Sequence, residues 1–133
     1  MRIRIKSFWP AVGMLLLATV LFCIPGNELP DDDWLGEISA DKLIHVGLFA
    51  ALVTLWGLPF VARGRSEVNQ RSINAALIWV VVIAVIYGIA IEIIQGAYIP
   101  NRSYSVADMV ADAIGSIMGG LFVNRQSRIT ASQ

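Results

Sequence analysis

Four long apolar runs separated by short polar stretches dominate this chain. The first, Phe8 to Ile24, follows Arg2, Arg4 and Lys6 and is broken by Pro25, Gly26 and Pro30. The second runs from Asp41 to about Ala62, the third from about Asn74 to Tyr98, and the fourth from Ser105 to about Asn124. The third run is rich in β-branched residues but far too long for a strand, which rarely exceeds about ten residues. Crossing a hydrocarbon core takes roughly 17–25 apolar residues, and backbone groups in lipid must find partners within the chain. The pattern therefore predicts an all-α, polytopic membrane protein. Its four transmembrane helices fall at about 8–24, 42–62, 74–95 and 105–123, in one bundle.

Composition agrees with the pattern. Of 133 residues, 56% are hydrophobic and only 15% charged, against about 25% charged in ordinary globular chains. A soluble domain of this length cannot hide that much apolar surface. One domain covering 1–133 is expected, with 125–133 a short polar tail that frays after Arg128. A basic start before an apolar run also describes a secretory signal. No small-x-small cleavage site stands near Ile24-Pro25-Gly26 and more spans follow, so the first run is expected to stay as a helix. Cys23 is the single cysteine, which excludes an internal disulfide and a cysteine-based zinc site. Val20-Leu21-Phe22 before it lack the small residues of a lipoprotein cleavage site.

Charge fixes the direction. Arg2, Arg4 and Lys6 precede the first run, Arg63, Arg65 and Arg71 flank the second loop, and Arg125 and Arg128 follow the fourth run. The two opposite loops carry only Lys42 and Arg102, beside Glu28, Asp31, Asp32, Asp33 and Glu37. The positive-inside rule then places both termini on the cytoplasmic side. Dispersed basic residues of this kind are topology signals, and no nucleic-acid partner is expected.

That direction brings three separated segments to one outer-leaflet site. Asp41, Lys42 and His45 open the second helix, Glu92 and Gln95 close the third, Arg102 lies in the connecting loop, and Asp108 and Asp112 open the fourth. Asp41 and His45 share a helix face, as do Asp108, Asp112 and Ser116, because residues four apart are neighbours. His45, Glu92, Asp108 and Asp112 are the candidate catalytic groups. Asp41, Lys42, Gln95 and Arg102 are the candidate ligand-binding groups. Plainer roles compete at several positions. Asp41 suits a helix N-terminus, Lys42 can snorkel to headgroups, and Ser105-x-x-Asp108 fits a capping box with a shortened acid. Trp9, Trp34, Tyr98 and Tyr104 fit interfacial belts, and Gly115, Gly119 and Gly120 fit close helix packing. His45, Glu92 and Asp112 lie at no cap and one to two turns inside apolar runs, where charge is costly. No comparable cluster is expected at the cytoplasmic end.

The series Asp41-Lys42-x-x-His45, then Glu92-x-x-Gln95-x6-Arg102-x5-Asp108-x3-Asp112-x2-Gly115-x3-Gly119, resembles the VanZ-like family of small bacterial membrane proteins over about 41–120. That family often has asparagine where Asp112 stands, and a polar side chain satisfies both. Its best-known member is associated with reduced susceptibility to the glycopeptide teicoplanin. The resemblance implies a multi-pass protein of the bacterial cytoplasmic membrane with a cell-envelope role; antibiotic resistance comes over by association only, because fold alone does not carry function.

Three activities compete. The first is a binder of a lipid-linked or cell-wall-related ligand, possessing the bilayer and a cell-wall precursor as partners. The second is a membrane hydrolase or transferase using His45 and the carboxylates. The third is a small transporter or proton relay, against which stands the apolar cytoplasmic half of the helices. No nucleophile elbow, zincin helix or phosphate loop is present. No cofactor is predicted, although one histidine among carboxylates leaves a divalent cation open. Oligomeric state is not encoded in these patterns.

Overall fold

A computed structural model describes residues 8–25, 40–63 and 70–131. Arg2, Arg4, Lys6, Gly26, Glu28, Pro30, Asp31, Asp32, Asp33, Trp34, Glu37, Arg65 and Glu67 lie outside the described residues. Four helices follow in chain order, and no strand occurs among the described residues: α1 Trp9–Phe22, α2 Ala40–Arg63, α3 Gln70–Tyr98 and α4 Val106–Ala131. The predicted all-α bundle is the observed one.

Three of these helices, α2, α3 and α4, are long and apolar enough to cross a membrane. At 1.5 Å per residue they extend about 36–44 Å, beyond the ~30 Å of a hydrocarbon core. Helix α1 is equally apolar but has only 14 residues. Pro10 stands in its first turn, where a missing N–H costs nothing. The polarity of the surface is inverted relative to a water-soluble bundle. Trp79, Ile83 and Leu121 are each more than 60% exposed, whereas His45 and Glu92 are fully buried. Exposed apolar surface on this scale marks a lipid-facing molecule.

The helices pack as neighbours running up and down, with the ends of α1, α3 and the start of α2 and α4 at one end. There Phe22 of α1 packs on His45 and Phe49 of α2. At the other end Phe8 packs against Trp56 and Phe60. The most extensive packing is between α2 and α4. A Cβ on Gly115 would run into the Val46 carbonyl and one on Gly119 would lie 2.6 Å from the Ala50 carbonyl. Glycine at these two positions is what lets the backbones meet, the packing role expected of small residues spaced by four.

The α3–α4 connection is a tight turn. Arg102 N–H donates to the Ile99 carbonyl at 3.3 Å, and Asn101 has φ 57°. Proline followed by asparagine in the left-handed region is the signature of a type II turn. Ser105 then caps α4, its Oγ accepting from Asp108 N–H at 3.2 Å.

Helix α4 runs on past the predicted end of the fourth span, near 123, into the polar tail. The helix continues through 125–131, because its polar side chains find partners. Gln70 Nε2 donates to Asn74 Oδ1 and to Ser127 Oγ, each at 2.9 Å, and Ser127 Oγ donates to the Asn124 carbonyl at 2.7 Å. This end therefore carries an uncharged polar cluster that the apolar pattern does not announce.

The α2–α4 contact sets a stability expectation. Gly115→Val should destabilise the bundle by roughly 1–3 kcal/mol, the usual cost of overpacking. Gly47→Ala, where nothing lies within 4 Å of the new Cβ, should be neutral or slightly stabilising. Thermal unfolding of the purified proteins in one detergent checks both. Equal midpoints for the Gly115 variant and wild type would remove the close-packing account.

Candidate functional site

The predicted polar residues do converge. At the end of the bundle where α2 and α4 begin, His45 Nδ1 and Asp112 Oδ1 are 2.8 Å apart and both side chains are buried. An ionised Asp112 only accepts, so Nδ1 then carries the proton, and in the neutral ring Nε2 is left as the acceptor. Asp41, one turn before His45, places Oδ1 4.0 Å from Nε2. The ring itself lies against Phe22, with centroids 4.5 Å apart. Aromatic cover of this kind shields the imidazole from lipid and water on that side.

Asp112 has room only because of α3. A Cβ on Gly88 would lie 2.7 Å from Asp112 Oδ2. Gly88 stands four residues before Glu92 and so on the same face. Ser116, one turn further along α4, is buried and donates to the Asp112 carbonyl at 2.7 Å. It belongs to the helix rather than to the site.

Glu92 divides its two oxygens. Oε2 accepts from the Ser105 N–H at 3.0 Å. In an ordinary capping box that N–H is taken by the acid three residues into the same helix. Here α3 supplies the acid, and Asp108 is released from the duty its position suggests. Asp108 instead turns toward Lys42, with Oδ1 3.9 Å from Nζ. Glu92 thus has a structural role that sequence reasoning did not assign to it.

Two candidate ligand-binding residues are partly committed elsewhere. Gln95 Nε2 donates to the Phe22 carbonyl at 2.8 Å, satisfying one of the orphan carbonyls that every helix C-terminus leaves. Arg102 Nε reaches the Ile24 carbonyl at 3.4 Å, while its Nη1 lies 3.6 Å from Asp41 Oδ2. Both tie the end of α1 to the α3–α4 hairpin. Thr19 Oγ1 and Tyr87 OH, 2.8 Å apart, add a third tie lower down.

What remains uncommitted defines the site. His45 Nε2, Glu92 Oε1, Asp108 Oδ1 and Asp112 Oδ2 are buried and make no hydrogen bond to any protein group. Two overlapping sets, Asp41–His45–Asp108 and His45–Glu92–Asp112, each bring three metal-competent atoms within 4.8 Å of one another. Lys42, nearly half exposed, and Arg102 stand at the rim. Asp41, about a third exposed, stands with them. The aromatic belt residues lie outside this group, with Trp9, Tyr98 and Tyr104 all exposed.

Along α4, the described residues show no buried polar side chain between Ser116 and Ser127. That interval is about 16 Å of helix. The polar site and the uncharged cluster at the opposite end are separate.

Phe22, Gly88 and the Ser105 backbone N–H were not predicted as parts of the site. For Gly88 a signal existed, its spacing from Glu92. Phe22 sits in an unbroken apolar run and carried none. In comparisons with known proteins, no family model matches the chain, and no curated protein or solved structure does either.

Removing the Gln95 amide tests the tie to α1. Gln95→Leu leaves the buried Phe22 carbonyl unpaired, which should cost about 1–3 kcal/mol. Protease sensitivity of the α1 end in detergent should rise, while α2–α4 association is kept. Unchanged protection would show that α1 is held by its apolar contacts alone.

Proposed function

We propose that this chain is a VanZ-like protein of a bacterial cytoplasmic membrane, with both termini in the cytoplasm. In this reading its polar site opens to the outer leaflet and binds the polar part of a lipid-linked or cell-wall-related ligand. The observation that carries the reading is the set of four buried, uncommitted polar atoms on His45, Glu92, Asp108 and Asp112. Each such atom costs on the order of 1–3 kcal/mol if it stays unpaired. Asp108 Oδ1 is partly compensated by Lys42 Nζ at 3.9 Å, and the other three together would still consume much of the 5–15 kcal/mol by which a typical protein is stable. A purely structural network would be expected to close on itself, as the Glu92–Ser105 and Gln95–Phe22 bonds do. Groups that stay uncommitted at one end of a bundle are suited to partners from outside the chain.

The orientation rests on charge. Arg63, Arg71, Arg125 and Arg128 belong to the helix ends remote from the site, and Lys42 and Arg102 to the site end. Basic residues favour the cytoplasmic side. Lys42 and Arg102 at the rim suit a phosphate or carboxylate on the ligand. The donor set inside also suits a divalent cation.

One observation favours a second reading, that of a hydrolase or transferase. His45 has its Nδ1 held by a buried carboxylate and its Nε2 uncommitted, the arrangement of a general base oriented by an acid. Transport is less well supported, since no buried polar side chain lies between Ser116 and Ser127 along α4 among the described residues.

Two experiments check these proposals. A fluorescent protein fused to the C-terminus should fluoresce and an alkaline phosphatase fusion there should be inactive; the reverse pattern overturns the orientation. In a susceptible bacterial host, expression should change susceptibility to teicoplanin or a related envelope stress, and His45→Ala at equal membrane abundance should abolish the change. Asp112→Asn separates the readings: a binder keeps most of its effect. A base that depends on the Asp112 carboxylate for its tautomer should lose on the order of 10⁴-fold in rate. No effect from the wild-type protein would sink the envelope-resistance proposal.

A further inference from the structure

We propose that the site is a divalent transition-metal site in which His45 Nε2 supplies the nitrogen ligand and Asp41 and Asp108 supply oxygen ligands, with Asp112 orienting the histidine from behind. The inference holds whether or not the protein's envelope ligand is a lipid.

The geometry of His45 selects the atom. Nδ1 is occupied by Asp112 Oδ1 at 2.8 Å, and a ring nitrogen carrying that hydrogen cannot also ligate. Nε2 is buried and makes no hydrogen bond to protein. A metal-bound histidine characteristically gives its other N–H to a carboxylate, which fixes the tautomer and strengthens the ligand. The His45–Asp112 pair has this arrangement, at a depth where no solvent-exposed group is required to explain it.

One carboxylate faces this nitrogen and a second lies close to the pair. Asp41 Oδ1 lies 4.0 Å from Nε2, and ligand atoms of Asp41, His45 and Asp108 lie within 4.8 Å of one another. Zinc–nitrogen and zinc–oxygen bonds of about 2.0–2.2 Å put ligand atoms on one ion roughly 3–3.5 Å apart. Rotating the Asp41 and Asp108 side chains by about an ångström would close the set. Asp41 is about a third exposed and in the first turn of its helix, so it has the freedom to do so. Asp108 Oδ1 is one of the uncommitted atoms.

Charge matches as well. Counted as ionised, Asp41, Glu92, Asp108 and Asp112 against Lys42 and Arg102 give four negative and two positive side chains, and with His45 neutral a divalent cation would offset the difference. One imidazole with carboxylates favours zinc or manganese over magnesium or calcium, which prefer all-oxygen shells. Three protein ligands also leave a coordination position for water or an incoming ligand, on the side where Lys42 and Arg102 stand.

The test uses the full chain purified in detergent with a tag free of histidine, stripped with EDTA and titrated with Zn²⁺, Mn²⁺, Mg²⁺ and Ca²⁺ by calorimetry. One Zn²⁺ or Mn²⁺ per chain should bind at least tenfold more tightly than Mg²⁺ or Ca²⁺. His45→Gln and Asp108→Asn should each weaken that binding at least tenfold, and Asp112→Asn by about 10–100-fold. Size-exclusion profiles matching wild type qualify each variant. Asp108→Asn and Asp41→Asn change the proposed oxygen ligands without touching the His45–Asp112 pair, and keep the test decisive if His45→Gln fails to fold. Absence of saturable binding to the stripped wild-type protein overturns the site. Equal affinity for all four ions, or binding that survives both aspartate substitutions unchanged, overturns the histidine-centred assignment.

Discussion

The 2.8 Å contact between His45 and Asp112 is the constraint around which the rest of the bundle is arranged. It joins α2 to α4 through two side chains that are almost wholly buried. Placing them there is expensive in an apolar medium unless each satisfies the other. The neighbouring features follow from that need. Gly115 and Gly119 bring the two helices close enough for the contact, Gly88 leaves space for the second Asp112 oxygen, and Phe22 covers the imidazole.

Around this pair the polar residues divide into two kinds. Gln95, Ser105 and one oxygen of Glu92 close backbone groups that helix ends and the α3–α4 turn leave open. His45 Nε2, the other Glu92 oxygen and the second Asp112 oxygen hydrogen-bond nothing in the chain, and Asp108 Oδ1 meets Lys42 at 3.9 Å without a hydrogen bond. A single residue can belong to both kinds, as Glu92 does. Loss of function on replacing it would mix a damaged cap with a damaged site, whereas Glu92→Gln retains an oxygen for the Ser105 N–H.

Much of this was legible in the sequence because membrane helices obey few rules strictly. Run lengths gave the helices, and the spacing of Asp41 to His45 and of Asp108 to Asp112 gave the faces that meet. The division of labour among polar atoms was not legible. Gln95 and Arg102 have the chemistry of ligand-binding residues, and only the position of the α1 end shows that backbone carbonyls occupy them. The helical end of α4 was missed because its partner, Gln70, lies 57 residues away in the chain from Ser127. Composition reports polarity, and pairing across that distance needs the fold.

The shortness of α1 has a consequence for the bilayer itself. Fourteen residues span about 21 Å, several ångström less than a ~30 Å hydrocarbon core. Its ends are pinned, one by Phe8 against Trp56 and Phe60 and the other by Gln95. In a bilayer, a stretch this short held at both of its described ends would have its mismatch taken up by the lipid, through thinning beside it. Such thinning would bring headgroups next to α1 nearer to the level of Asp41 and Arg102, so that the membrane would carry its own polar surface toward the mouth of the site.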